Sequence, residues 1–329
     1  MAEPLSSFAY KVSVYPLDNV EGQARWSALV KESSQATPFT SVTYALALVN
    51  HLALSAEIWI VGDTDRDLTG LVVFKKKQGP FSRGIIPGFT PHSPIVYAGD
   101  AQPNEAIQIL LNKLCVELDD VRLHLPPGFM DARPLRWTGW DSSVYYTYQI
   151  DLSTYDDNRQ GWSKATRRNF QKHESTYQIT EDPTAIGQCI SLCNDGYVRN
   201  KRAFPIHPQH LLSITQALSD AGCIRTFTAS PDDTHTPEAG IVVLRDEHTA
   251  YYWIAGSIPG PAMTVLIGKV LDRLKSDGLK TFDFVGANTP GIAEFKRRFG
   301  PRLVPYFAGW VTPNRLLSGI LKTKRMLRG

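Results

Sequence analysis

Apolar positions along the 329 residues follow two periods, one of three to four and one of two. The first predicts amphipathic helices and the second, with short β-branched runs, predicts strands. In the first half, helices are expected over 24–30 and 42–54, the latter entered through Pro38-Phe39-Thr40-Ser41 with Ser41 as its cap. Strands follow over 57–61, 68–75 and 81–86, the first two joined by the polar turn from Asp63 to Asp67. Pro87 to Pro94 reads as a loop, because its prolines and glycine interrupt regular structure. A helix over 105–118 and strands over 121–125 and 144–152 complete this half.

The second half repeats the order. Helices are expected over 160–174, 184–194 and 210–221, then strands over 223–229, 240–244 and 250–255. A helix over 263–277 ends at Gly278, which serves as its C-cap. A strand over 280–285, a short helix over 292–298 and a strand over 303–311 follow. Hairpins mixed with helices argue for an α+β fold, and the repeated order argues for a duplicated domain. The expected division is 1–155 and 156–312, with the polar, acidic stretch 154–158 as the junction and 313–329 as a basic C-terminal helix packing back on the first domain.

Composition narrows this reading. With 43% hydrophobic and 20% charged residues, the chain has the balance of a globular protein long enough for two cores. The net charge of +3 gives no general affinity for polyanions, so any such affinity rests on local clusters. One cluster is the tail, with Arg315, Lys322, Lys324, Arg325 and Arg328 and no acid. It reads either as a packing helix with a solvated basic face or as a surface for nucleic acid or membrane. Cys115, Cys189, Cys193 and Cys223 are too few for a disulfide scaffold and lack the companions of a zinc site. No metal is expected. The start lacks the basic and apolar regions of a signal peptide, and the apolar runs fall short of the ~20 residues of a membrane span. A soluble, cytoplasmic protein is expected.

Four segments carry candidate chemistry. In Thr281-Phe282-Asp283-Phe284-Val285, the two phenylalanines share one strand face and Asp283 takes the other. A carboxylate in such a strand needs partners or a site. Gly286 then admits a left-handed turn, Asn288 or Thr289 can cap the next helix, and Lys296, Arg297 and Arg298 follow. By spacing alone, this acid and these cations fit a salt-bridged surface as well as a site. The helix carrying Lys164, Arg167, Arg168, Gln171 and Lys172 presents a cationic face suited to phosphate, or simply to solvent. The strand through Tyr252 and Trp253 opens through Gly256, Ser257, Gly260 and Ala262 onto a helix N-terminus, an anion cradle in principle. Arg133 to Trp140, with Tyr145, Tyr146 and Tyr148, can line an acceptor cleft or pack domains together.

The basic helix, the strand–small loop–helix and the ending Phe282-Asp283-Phe284, Gly286, Phe295-Lys296, Phe299 together resemble the FemAB-like branch of the GNAT acyltransferase superfamily. That branch includes enzymes that add amino acids to peptidoglycan stem peptides from aminoacyl-tRNA. The resemblance implies two tandem GNAT-like domains and an N-acyltransferase with no tightly bound cofactor, using acyl-CoA or aminoacyl-tRNA as co-substrate. It implies an amine acceptor, either a small molecule or a cell-wall precursor, with tRNA as a partner and peripheral membrane contact as options. Lys296 falls on the family's lysine implicated in acyl transfer. Gly256, Ser257, Gly260 and Ala262 fall where the donor's pyrophosphate binds. Arg202 is the nearest match to an arginine that contacts acceptor phosphate, and Arg167, Arg168 and Tyr252 join it as candidate substrate contacts. Asp283 is the candidate base, and Lys296 or backbone N–H groups would meet the oxyanion. The alternative is a GNAT-fold module that binds an anionic ligand without turnover.

Overall fold

The computed structural model describes residues 10–155, 159–234 and 236–326. In chain order the first elements are β1 (Lys11–Pro16), α1 (Val20–Lys31), α2 (Val42–His51), β2 (Ser55–Gly62), β3 (Asp67–Gln78), β4 (Phe81–Ile85), β5 (Ile95–Tyr97), α3 (Asn104–Glu117), β6 (Asp120–Leu125) and α4 (Arg133–Trp137). They are followed by β7 (Asp141–Asp151), α5 (Lys164–His173), β8 (Tyr177–Glu181), α6 (Ile186–Arg199), α7 (Pro208–Asp220), β9 (Ile224–Pro231), β10 (Ala239–Arg245) and β11 (Thr249–Ser257). The last are α8 (Ala262–Ser276), β12 (Thr281–Asp283), α9 (Pro290–Arg297), β13 (Arg302–Val311) and α10 (Arg315–Met326). The fold class is α+β, as expected. Ser41 caps α2 by accepting from Tyr44 N at 3.0 Å, and Gly278 closes α8 with φ +84°. The strands β1, β5 and β8 escape the apolar pattern because they are short, or lie exposed at a sheet edge.

Two compact units divide the chain: Met1–Val144 with Tyr306–Gly329, and Tyr145–Pro305. Most of β7 therefore sits with the second unit, and the end of β13 with the first. Long-range pairing decides this. β7 runs antiparallel to β12, with Asp151 opposite Thr281, while β13 runs antiparallel to β6, with Phe307 opposite Leu125.

Within the first unit the ladder runs β1-β2-β3-β4-β6-β13, and β5 pairs with β3. All its pairs are antiparallel except β4 with β6. Within the second the order is β7-β12-β11-β10-β9-β8, again with one parallel pair, β11 with β12. In each unit a helix, α3 or α8, connects the two parallel strands, as parallel pairing requires.

The second sheet is covered on both faces. Ile241 and Val243 of β10 face α8, whose Val265, Leu266, Val270 and Leu271 are fully buried with Phe282, Phe284 and Phe299. Their neighbours on the opposite face lie under α6. A Cβ on Gly240 would stand 2.5 Å from Cys189 Sγ, and one on Gly256 2.1 Å from Cys193 N. Both glycines let α6 approach the sheet at backbone distance. Cys189 and Cys193 are thus buried packing residues, with burial pushing their thiols up to about 12 and about 11.

Candidate functional site

The second unit has an opening built into its sheet. β11 and β12 pair at only three positions, ending with Tyr251 opposite Asp283. Beyond that point β11 continues along β10 as far as Ser257, where it pairs with Ala239. The chain after Asp283 follows β7 instead: Phe284 N donates to Tyr148 O at 2.8 Å and Ala287 N to Tyr146 O at 2.7 Å. The side chain of Asn288 clamps Tyr146 by both its oxygen and its nitrogen, so it braces this loop and leaves Thr289 as the N-cap position of α9. The two parallel strands therefore part after Tyr251 and Asp283. A bulge at Trp253, between the pairs Val242–Ile254 and Val243–Tyr252, bends β11 at the same place.

Lys296 lines the wedge on the side of the chain that leaves β12. It is 6% exposed, and its Nζ donates to the carbonyl oxygens of Phe284 (2.6 Å), Val285 (3.1 Å) and Gly286 (2.9 Å). All three ammonium protons are therefore accounted for. Backbone carbonyls released from the sheet by the parting of the strands are satisfied by one side chain. To aim them so, Val285 adopts φ +56° and Gly286 φ +83°. Left-handed backbone is costly for a β-branched residue and persists only where the surroundings hold it. Burial lowers the Lys296 pKa to about 8, with the charge of Asp283 pulling the other way. Its Nζ stands 5.6 Å from the ring centre of Tyr252, which itself packs against Phe284 and bonds Met263 Sδ at 3.4 Å.

Asp283 lies beneath the same loop at 1% exposure. Its carboxylate accepts from Thr147 Oγ1 (2.6 Å), Gln149 Nε2 (2.9 Å) and Val285 N (2.7 Å). Thr147 in turn accepts from Gly286 N at 3.0 Å. Burial raises the Asp283 pKa, and these donors oppose the rise. Thr147 and Gln149 are absent from the sequence reading. The signal available was the pair of polar residues two apart on one face of β7, opposite the acid.

Of the remaining candidates, Tyr252 joins Lys296 and Asp283 at the wedge. Gly256, Ser257, Gly260 and Ala262 lie at the far end of β11 and the start of α8. Within this group, Gly256 is committed to α6, whereas a Cβ on Gly260 would meet open space. Ser257 O accepts a hydrogen bond from Arg199 of α6, so the turn carrying Arg202 lies just beyond the residue that braces this loop. Arg167 and Arg168 project from α5, Arg168 exposed and Arg167 half-buried, and neither forms an ion pair among the described residues. α5 reaches the site region through its first turn, where Ser163 N donates to Arg298 O at 2.8 Å. Arg297 and Arg298 themselves pair with Glu294.

The corresponding place in the first unit is closed. β4 and β6 pair only at Arg83–Asp120 and Gly84–Val121. Beyond that the chain's own 87–94 loop docks on β6: Ser93 N donates to His124 O at 2.8 Å, and His124 N to Ser93 Oγ at 2.9 Å. Thr90, His92 and Ser93 are buried there.

Residues 157–297 match the sequence family described as acetyltransferase (GNAT) domain. No curated protein matches the chain. Among solved structures, FemX is similar with a TM-score of 0.71 at 12% identity, over 94% of this chain and 99% of that one. A tandem GNAT protein from the clavulanic acid biosynthesis pathway, in its form without AcCoA, reaches 0.59 at 11% identity, over 91% and 98%. The L-PGS of Bacillus licheniformis reaches 0.57 at 11% identity, over 94% and 97%. At these identities the similarity is one of fold. The chain has the tandem GNAT architecture, its family match lies in the second unit, and the resemblance to the FemAB-like branch holds.

Proposed function

We propose that the second unit transfers an acyl or aminoacyl group from a CoA thioester or aminoacyl-tRNA to an amine, and that the parting of β11 from β12 is where the activated donor lies. The observation that carries this reading is the pair of strands separating after Tyr251 and Asp283, with β11 running on from there toward the N-terminus of α8. A thin, extended donor arm fits between parted strands, and its phosphates suit the free N–H groups and positive end of a helix. Ser257, Gly260 and Ala262 would hold that end, with Gly256 keeping α6 in place behind them. The first unit is assigned no transfer, since its own 87–94 loop occupies the equivalent gap.

Lys296 and Asp283 act in this reading by positioning. A carboxylate buried to 1% and accepting three hydrogen bonds does not reach an incoming amine, so the role of base is not carried forward for Asp283. Both residues hold the 284–286 turn that keeps the strands apart. Backbone N–H groups of β11 past Tyr251 would stabilise the oxyanion, and Tyr252 would line the channel. Arg167, Arg168 and Arg202 would meet an anionic part of the acceptor or donor, as a phosphorylated cell-wall precursor or a tRNA would present. FemX and the clavulanic acid pathway protein share this fold, which supports an amine acceptor and leaves both donors in the test.

The test is to incubate the full chain with acetyl-CoA, longer acyl-CoAs or charged tRNA, each with an amine panel that includes nucleotide-linked cell-wall precursors. Donor should raise the melting temperature, and thiol or uncharged tRNA should appear only when an amine is present. If no donor shifts the melting temperature and no acyl group moves, the reading fails. Binding without transfer would favour a non-catalytic module for an anionic ligand. The observation on that side is Lys296, whose ammonium has no proton left for a substrate.

A further inference from the structure

We infer that one corner of the first unit docks on an anionic lipid bilayer, through α10 and the tip of the β3–β4 hairpin. The two elements are fastened to the same pair of residues. Asp119 exchanges hydrogen bonds with Ser82 at the start of β4, at 2.7 and 2.8 Å, and its carboxylate accepts from Asn314 Nδ2 at 2.7 Å. Asp120 binds Arg83 and accepts from Thr312 Oγ1 at 2.7 Å. In the hairpin register Lys77 lies opposite Ser82 and Lys76 opposite Arg83, and both lysines are exposed. The base of α10 and the tip of the hairpin are therefore neighbours held by two acids.

This corner is cationic and apolar at once. Its exposed cations among the described residues are Lys76, Lys77 and Arg315. Three nearby acids are used within the fold, Asp119 by hydrogen bonds, Asp120 by its ion pair with Arg83 and Glu117 by its ion pair with Lys113. On α10, Leu317 is buried, which orients the helix, and Leu316 and Ile320 point away at 69% and 39% exposure. They are four apart and share one face. Val116, at the end of α3 just before Asp119, adds a third outward apolar side chain at 80% exposure.

Exposed leucine and isoleucine contribute nothing to a nucleic-acid backbone, but they gain free energy in an acyl-chain boundary, and the cations beside them gain it from anionic headgroups. That combination selects a bilayer over a polynucleotide. Among the described residues no helix is long and apolar enough to cross a membrane, so the contact is one of surface adsorption. It is independent of the transfer reaction proposed above.

The experiment is cosedimentation of the full chain with vesicles of phosphatidylcholine alone and of phosphatidylcholine mixed with phosphatidylglycerol. Binding is expected only to the mixed vesicles, and raised salt should weaken it. The Leu316→Glu/Ile320→Glu variant should lose binding by about tenfold or more, as should Lys76→Glu/Lys77→Glu. All four side chains are exposed or nearly so, so melting temperatures should stay at the parental value. No binding to anionic vesicles at low salt would overturn the proposal. So would unchanged binding by the Leu316→Glu/Ile320→Glu variant, or salt-sensitive binding to tRNA with none to vesicles.

Discussion

Replacing Lys296 by methionine keeps much of the side chain's length and removes the ammonium. Three carbonyl oxygens then lose a donor they meet at 2.6–3.1 Å. A buried acceptor left unsatisfied costs about 1–3 kcal/mol, so three cost about 3–9 kcal/mol. Against this, the variant no longer buries a charge. A lysine lowered from its ordinary value to about 8 carries a burial cost of about 3 kcal/mol. The middle of what remains is a loss of about 3 kcal/mol, and for a unit of this size that lowers the melting temperature by about 6–12 °C. Thermal unfolding read by tryptophan fluorescence measures the shift. Hydrogen exchange locates it: amides over 281–300 should lose protection, while those of β2 and β3 in the first unit should keep theirs. The carbonyl cradle of Lys296 would be refuted by a melting temperature within about 2 °C of the parent together with unchanged protection over 281–300.

Three further predictions rest on neighbouring geometry. Thr147→Val removes the hydroxyl that donates to Asp283 and accepts from Gly286, and should cost about 3 kcal/mol in urea unfolding. Thr147→Ser should recover most of it, and equal losses in both variants would argue against the hydroxyl's role. Gly256→Ala places a methyl 2.1 Å from the α6 backbone and should destabilise by about 3 kcal/mol or more, so a neutral effect would show that α6 can move. His92 is buried, its ring nitrogens meet no hydrogen-bond partner among the described residues, and burial lowers its pKa to about 3. Unfolded chains take up this proton near pH 6.5 and the native state only near 3, so stability falls as pH drops through that window, by up to about 5 kcal/mol. His92→Phe should flatten that part of the stability–pH curve, and an unchanged slope would remove His92 as its source.

Much of the architecture was legible in the chain. Helical periodicity, the Ser41 and Gly278 caps and the hairpin patterns follow from local backbone and side-chain preferences, and their repetition indicated a duplicated α+β fold. Phe282 and Phe284 on one face with Asp283 on the other also followed from strand geometry alone. The region of the candidate site was therefore visible, as an acid and a lysine flanking a glycine.

What those residues do there was not visible. Whether Asp283 faces solvent or three donors depends on β7, which lies more than a hundred residues earlier in the chain. Whether the Lys296 ammonium faces a substrate or three carbonyls depends on where β11 leaves β12 and on a left-handed valine that no propensity would select. The unit to which β7 and β13 belong likewise followed from partners far away in sequence. Local preference determines elements because it acts over one turn or one strand. Buried polar groups are settled only when distant segments close around them, because each must find its hydrogen-bond partner wherever the fold supplies one.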